Sequence, residues 1–133
     1  MISRIKQVSV FLENLPGRLV PMLEALQNNG INIRALSISE TADFGIVRMI
    51  LADPVKGVEA LRQAGFTSRQ DWILSVEIPD KPGGLLQTVA EPLSRAGINI
   101  KYAYLYVEAV SGKALAVIKV DDPEKAEQVL KSL

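Results

Sequence analysis

The four letters GINI occur twice, in NNGINIRALSISE (Asn28 to Glu40) and in RAGINIKYAYLYVE (Arg95 to Glu108). In each stretch the glycine closes a helical pattern, and an apolar run that alternates with polar residues follows it. This combination predicts a helix that ends at the glycine and a strand that begins directly after it. Because the same junction occurs at two places, the chain is predicted to contain a duplicated unit.

The repetition extends in both directions from GINI. LPGRL (Leu15 to Leu19) corresponds to KPGGL (Lys81 to Leu85), 66 positions later, and LADPVKGVEAL (Leu51 to Leu61) corresponds to VDDPEKAEQVL (Val120 to Leu130). Pro-Gly after an apolar run predicts a turn, and Asp-Pro before a helical pattern predicts a helix start. Two copies of this unit account for the whole chain.

Each copy is predicted to contain strand, helix, strand, strand and helix. In the first copy, alternation of Val8, Val10 and Leu12 marks the first strand. A fourth strand is expected at GFTSRQ (residues 65–70), where it runs into the first strand of the second copy. We therefore expect two α+β domains, residues 1–70 and 71–133. No segment follows the last helix, so either another element fills the fourth-strand position of the second copy or the chain is truncated.

The first helix of the second copy differs from its counterpart. It carries one additional residue and holds Pro92 well inside the helical pattern. A proline inside a helix removes a hydrogen bond and collides with the preceding turn. A local bulge or kink is therefore expected next to Pro92.

The strands after GINI contain a phase slip. Ile31 and Ile33 share a face, but the next large apolar residues, Leu36 and Ile38, are one step out of phase, and the second copy repeats the slip. The slip predicts a bulge near Arg34 and another near Lys101.

Three tyrosines follow the second of these positions. Tyr102, Tyr104 and Tyr106 are expected to line the face of the sheet that the helices leave bare. An aromatic stripe on such a face predicts burial against another sheet or subunit. Strand propensity alone is the alternative explanation.

The composition excludes several classes of function. The chain has no histidine and no cysteine, which rules out a thiol nucleophile, a disulfide, a Cys/His zinc site and an imidazole base. Fifteen basic and fifteen acidic residues balance, which argues against nucleic acid or an anionic membrane as partner. No apolar run approaches the roughly 20 residues of a bilayer span, so a cytoplasmic protein is expected. We expect no catalytic residues, no cofactor and no metal.

The order of the elements, with a polar residue and Pro-Gly after the first strand and GINI at the start of the second, resembles the ACT domain. Both motifs occur in this order twice, so essentially the whole chain resembles a free-standing tandem ACT protein. The resemblance implies two ferredoxin-like βαββαβ units with antiparallel sheets and helices on one face, the last strand of the second being unaccounted for. It further implies a non-catalytic module that regulates an enzyme of amino-acid metabolism.

In amino-acid-binding ACT domains, the Pro-Gly loop and the start of the strand after the first helix hold the ligand between two domains. The resemblance assigns this role to Asn14, Gly17, Arg18, Leu19, Ile31, Asn32 and Ile33, and in the second copy to Asp80, Gly83, Gly84, Leu85, Ile98, Asn99 and Ile100. A helix N-terminus at the loop favours a carboxylate. Because Asp80 would repel a carboxylate and neutral Asn14 would not, the first copy is the favoured site. In the second copy, Lys81 could offset the charge of Asp80, or Asp80 could instead bind an ammonium group. Ordinary turns, helix stops and local caps are the alternative explanation.

The expected partners are a small amino acid, a second copy of the chain through a sheet face or edge, and an enzyme of amino-acid metabolism. The alternative is a structural or oligomerisation ACT module without a ligand. A nucleoside diphosphate kinase on the same fold would need a histidine, and an acylphosphatase would need a glycine-rich cradle where ENLPGR has one glycine. An RNA-binding module would need more aromatic residues on its first and third strands than Phe11 and Trp72.

Overall fold

The computed structural model of the protein describes residues 2–13, 15–40, 43–107 and 112–132. The chain divides into two compact units. The N-terminal unit comprises Lys6–Trp72, and the C-terminal unit comprises Ile73–Leu133 together with Met1–Ile5. The division expected from the repeat had placed residues 1–5 with the first copy.

The N-terminal unit contains a sheet in the order β2-β3-β1-β4. Its elements are β1 (Ile2–Glu13), α1 (Leu19–Asn28), β2 (Ile33–Glu40), β3 (Phe44–Leu51), α2 (Pro54–Gln63) and the first part of β4 (Ser68–Pro79). β3 pairs antiparallel with both β1 and β2. The backbone N–H of Phe11 donates to the carbonyl of Thr67 at 3.2 Å. The predicted fourth strand therefore exists as the beginning of β4.

Both helices of this unit cover the same face of its sheet. Val8 and Val10 of β1 and Val47 and Met49 of β3 form one buried cluster with residues of the two helices, including Met22, Leu26, Ala60 and Leu61. Asp53 caps α2, since its carboxylate accepts the Lys56 N–H at 3.1 Å, and Pro54 occupies the first turn, where no N–H is needed. The predicted helix start at Asp-Pro is thereby confirmed.

The C-terminal unit repeats this arrangement, with a sheet in the order β1-β4-β6-β5. Its further elements are a π-helical turn (Leu86–Ala90), α3 (Glu91–Arg95), β5 (Ile100–Val107), β6 (Lys113–Val120) and α4 (Pro123–Lys131). β6 pairs antiparallel with β4 and β5. One apolar cluster joins residues of β4 and β6 to residues of the π-helical turn, α3 and α4. The fold is therefore the predicted α+β fold with tandem ferredoxin-like units.

The start of the chain fills the fourth-strand position that the sequence left open. Residues 2–5 of β1 belong to the C-terminal unit, and Ile2 packs against its core. The Arg4 Nε donates to the Glu127 carboxylate of α4 at 2.7 Å. This hydrogen bond lowers the pKa of Glu127 and raises the pKa of Arg4.

The distortion expected next to Pro92 is confirmed. Leu86–Ala90 forms a π-helical turn, and the Glu91 N–H donates to the carbonyl of Leu86, five residues earlier. A π-turn accommodates one more residue than an α-helical turn. The additional residue of the second copy is therefore absorbed directly before buried Pro92.

Both predicted bulges are confirmed, and Tyr102, Tyr104 and Tyr106 lie on the predicted face. The strand register shifts between Ile33 and Ala35 and between Ile100 and Tyr102, which leaves Arg34 and Lys101 as the additional residues. Tyr104 then lies opposite Val117, and its neighbour Leu105 lies opposite Ala116 of the helix-covered core. The tyrosines are therefore on the face opposite the helices, and their burial against a partner stays a prediction.

Candidate functional site

The Pro-Gly turn of the N-terminal unit connects β1 to α1. Gly17 has φ +82°, a left-handed conformation that glycine adopts readily. A Cβ atom built at Gly17 meets nothing within 4 Å. Glycine is therefore favoured here by the left-handed backbone conformation and not by lack of space, and the space beside it is open. Arg18 and Leu19 follow at the start of the helix, with Arg18 exposed. Asn14 lies outside the described residues.

A cavity of about 280 Å³ adjoins this turn. Its charged groups are Arg18, Glu13 and Glu40, and its apolar walls are Leu12, Leu15, Leu19, Ile38 and Val47. The Arg18 guanidinium lies 3.7 Å from the Glu13 carboxylate. Both side chains are more than half exposed, so this ion pair contributes little to stability and can exchange partners. The cavity therefore combines both signs of charge with an apolar wall.

The Pro-Gly turn of the C-terminal unit is more tightly closed. Gly83 has φ +83°, like its counterpart, but Gly84 is buried where Arg18 is exposed. A Cβ atom at Gly84 would lie within 3.0 Å of the Pro79 carbonyl oxygen, and the Gln87 side chain lies over Gly83. The Asp80 N–H donates to the carbonyl of Gly112 at 3.3 Å. Little space is left at this turn for a ligand.

The glycine and first isoleucine of each GINI segment end the preceding helix. Gly30 and Gly97 have positive φ, and the N–H of Ile31 donates to the carbonyl of Leu26 at 3.0 Å. The second copy has the equivalent bond from Ile98 at 2.9 Å. These are the bonds of a Schellman motif, whose apolar contact is also present because Ile31 and Leu26 share one core cluster. This half of GINI has a structural role.

The asparagine of each GINI segment is exposed, and its backbone contacts the residue that precedes Asp-Pro. The Asn32 carbonyl accepts the Ala52 N–H at 2.9 Å, and the Asn99 carbonyl accepts the Asp121 N–H at 3.2 Å. In the second copy there is an additional hydrogen bond, in which the Asn99 N–H donates to Asp121 Oδ1 at 3.1 Å. Ala52 has no side-chain acceptor.

Within each unit, the predicted site residues form two separate groups. In the N-terminal unit a second cavity, of about 400 Å³, is lined by Leu23, Leu26, Gln27, Gly30, Ile31, Asn32 and Ile33, and it shares no residue with the cavity at the Pro-Gly turn. The ten residues of α1 separate the two groups by about 15 Å. In the C-terminal unit, the π-helical turn and α3 likewise lie between the group Gly83, Gly84 and Leu85 and the group Ile98, Asn99 and Ile100.

The sequence interpretation missed four residues at these places. Glu13 and Glu40 carry the negative charges of the cavity at the Pro-Gly turn, and the pair Ala52 and Asp121 distinguishes the two GINI segments. The difference between Ala52 and Asp121 is visible in the sequence when LADP (residues 51–54) is aligned with VDDP (residues 120–123). Within the described ranges, no group of three His, Cys, Asp or Glu residues could hold a metal ion. No helix in those ranges is long and apolar enough to cross a membrane.

The comparisons with known proteins agree with this architecture. Residues 3–132 match the family model described as an ACT domain pair. The structure is similar to protein BT0572 from Bacteroides thetaiotaomicron, with 37% identity over 98% of this chain and 89% of that one, and a TM-score of 0.89. It also resembles the ligand-free regulatory subunit of aspartate kinase from Thermus thermophilus, with 17% identity, 98% and 92% coverage and a TM-score of 0.64. No curated protein matches the chain.

Proposed function

The chain belongs to the ACT domain pair family, and from this premise we propose that it is a non-catalytic regulatory module that binds a small amino acid. Structures similar in fold include a regulatory subunit of aspartate kinase, which supports a regulatory role. We propose that the module acts on a separate enzyme of amino-acid metabolism.

The observation that carries this proposal is the cavity at the Pro-Gly turn of the N-terminal unit. An α-amino acid presents a carboxylate, an ammonium group and a side chain. Arg18 can pair with the carboxylate, Glu13 or Glu40 can accept from the ammonium, and the leucine and isoleucine side chains of the wall suit an apolar side chain. We therefore propose an amino acid with an aliphatic side chain as the ligand.

The distance between the Pro-Gly turn and GINI within one unit limits which residues can contact the same ligand. One small amino acid cannot span the roughly 15 Å length of α1. A ligand that contacts both elements therefore lies between two ACT units, one supplying Arg18 and the other supplying Asn32 or Asn99. We propose that a second copy of the chain supplies the other unit.

The sheet faces opposite the helices favour such an assembly. Tyr102, Tyr104 and Tyr106 on the C-terminal unit occupy the positions that Ala35, Ser37 and Ser39 hold on the N-terminal unit. A face of large residues and a face of small residues are complementary in shape when they come from two copies. We propose a homodimer through this sheet face.

A thermal-shift panel of the twenty amino acids tests the function. A ligand that binds only the folded chain raises the melting temperature by an amount that grows with its concentration. The Arg18→Ala variant is expected to lose most of the shift, while Arg69→Ala, which removes another exposed arginine, from β4, keeps it. If no amino acid at millimolar concentration shifts the wild-type chain, the alternative of a structural ACT module without ligand is correct.

A further inference from the structure

A further cavity, of about 350 Å³, lies beside the π-helical turn of the C-terminal unit. Its volume is within the usual range of small-molecule pockets, about 300–1,000 Å³. It shares no lining residue with the two cavities of the N-terminal unit. One part of its lining is apolar and the other is polar: the apolar residues are Ile2, Val76, Pro92 and Leu130, and the polar residues are Glu77, Gln87, Thr88 and Arg95.

The π-helical turn leaves backbone acceptors beside this cavity. The Glu91 N–H donates to the Leu86 carbonyl, five residues earlier, and Pro92 has no N–H to donate. Within the described segment 86–95, the Gln87 carbonyl therefore receives no helical hydrogen bond from position 91 or 92, and the Thr88 carbonyl receives none from position 92. Helix carbonyls point toward the C-terminal end of the helix, so these two oxygens point toward the turn that contains Pro92.

The first helix of the N-terminal unit lacks this irregularity. α1 (Leu19–Asn28) is α-helical throughout, so Ala25 and Leu26 supply N–H groups to the carbonyls of Pro21 and Met22. Counted from the Pro-Gly turn, these two carbonyls match the two acceptors of the second copy. A backbone acceptor beside a cavity is satisfied by water or by a ligand. The additional residue of the second copy thus provides acceptors that the first copy uses within its helix.

The charged groups of the cavity are already paired. The Arg95 guanidinium lies 3.8 Å from the Glu91 carboxylate, and the Lys113 ammonium lies 3.4 Å from the Glu77 carboxylate. Because these charges balance, the backbone carbonyls are the acceptors that remain for a ligand. An ammonium group carries three donors, and its charge-assisted hydrogen bonds are stronger than those of a neutral donor.

We infer that this cavity binds a primary ammonium group on a short apolar chain. The ammonium group donates to the carbonyls of Gln87 and Thr88, and the chain lies against the apolar part of the lining, which includes Val76 and Leu130. A free alkylamine and the ammonium end of an amino acid share this chemistry. The site is additional to the cavity at the Pro-Gly turn and does not rest on the proposed function.

The carbonyl ¹³C resonances of Gln87 and Thr88 test the inference, read through the N–H groups of Thr88 and Val89. Addition of n-butylammonium chloride is expected to move both resonances saturably, with half of the change at roughly tens of millimolar. The carbonyl resonances of Pro21 and Met22 are expected to stay. Tetramethylammonium chloride, a cation without N–H donors, and sodium butyrate, at equal ionic strength, are expected to move neither site. No movement with n-butylammonium, or equal movement with either control salt, would overturn the inference.

L-Norvaline distinguishes the two sources of the ammonium group, since it carries the same chain with an added carboxylate. Movement with both compounds supports the site and identifies an amino acid as an acceptable ligand. Movement with n-butylammonium alone supports the site and identifies a free amine. Movement with norvaline alone would contradict the inference, because the ammonium group would not suffice for binding.

A proline variant tests the role of the backbone acceptors. Pro92→Ala supplies an N–H four residues after Thr88 and is expected to weaken n-butylammonium binding by about tenfold, the effect of one charge-assisted hydrogen bond. Pro123→Ala, in the first turn of α4 where no N–H is needed, is expected to bind like the wild-type chain. Unchanged binding by Pro92→Ala would show that these carbonyls do not hold the ammonium group. The spectra report whether each variant is folded, and the wild-type titration decides the inference if Pro92→Ala is not.

Discussion

Replacement of Gly84 by alanine tests the difference between the two Pro-Gly turns. The new methyl group would lie within 3.0 Å of the Pro79 carbonyl oxygen, a backbone atom that no side-chain rotation can move away. Separating the two backbone segments costs about 3 kcal/mol, the upper end for overpacking in a closed site. Alanine recovers up to about 1 kcal/mol because it lowers the conformational entropy of the unfolded chain relative to glycine. The expected net loss is about 2 kcal/mol.

Thermal denaturation followed by circular dichroism measures this loss. With an unfolding entropy of about 2.1 cal/mol/K per residue over the 133-residue chain, 2 kcal/mol lowers the melting temperature by roughly 7 °C. The matched control is Arg18→Ala, since the exposed Arg18 already carries a Cβ atom in the equivalent turn. Its stability is expected to change by less than about 0.5 kcal/mol. If Gly84→Ala melts within about 1 °C of the wild-type chain, the second turn is not closed against Pro79 and the two turns do not differ in access.

Two further changes test the N-terminal strand and the bare sheet face. Because Arg4 lowers the pKa of Glu127 below its usual value near 4.5, the stabilisation from this pair is present above that pH and is lost as the pH falls through the lowered pKa. Glu127→Gln should therefore show a smaller fall of the urea midpoint over that acidic range than the wild-type chain, and identical falls would contradict the pairing. Tyr104→Asp should convert the proposed dimer to a monomer in sedimentation velocity, whereas Ala103→Asp, on the other face of β5, should not. A Tyr104→Asp dimer would place the interface elsewhere.

Local patterns in the sequence predicted most of the fold. The alternation and helical spacing, the Asp-Pro helix starts and the phase slip after GINI all depend on neighbouring residues, and the structure confirms them at Pro54, Arg34 and Lys101. The additional residue beside Pro92 likewise predicted a distortion, which is the π-helical turn. Each of these features is decided by the geometry of a few adjacent residues.

The fourth strand of the C-terminal unit could not be predicted in this way. Ile2 and Arg4 reach their partners across most of the chain length, since the carboxylate of Glu127 is 123 positions away in sequence. The sheet order, in which β1 lies next to β4, brings residues 2–5 into that unit. The separation of Arg18 from Asn32 was predictable in principle, because the ten residues of α1 lie between them.

The duplication makes each unit a control for the other. Features present in both copies, such as the left-handed glycines and the Asp N-caps, are explained by backbone geometry, because each satisfies a local turn or helix end. Features that differ at exposed or ligand-accessible positions have no such explanation. Gly84 is buried in the second Pro-Gly turn, whereas Arg18 is exposed at the matching position of the first. Asp121 accepts the Asn99 N–H, whereas Ala52 has no side-chain acceptor for the Asn32 N–H. Both differences leave the N-terminal unit open and the C-terminal unit closed. Their agreement supports the proposal that the ligand site lies in the N-terminal unit.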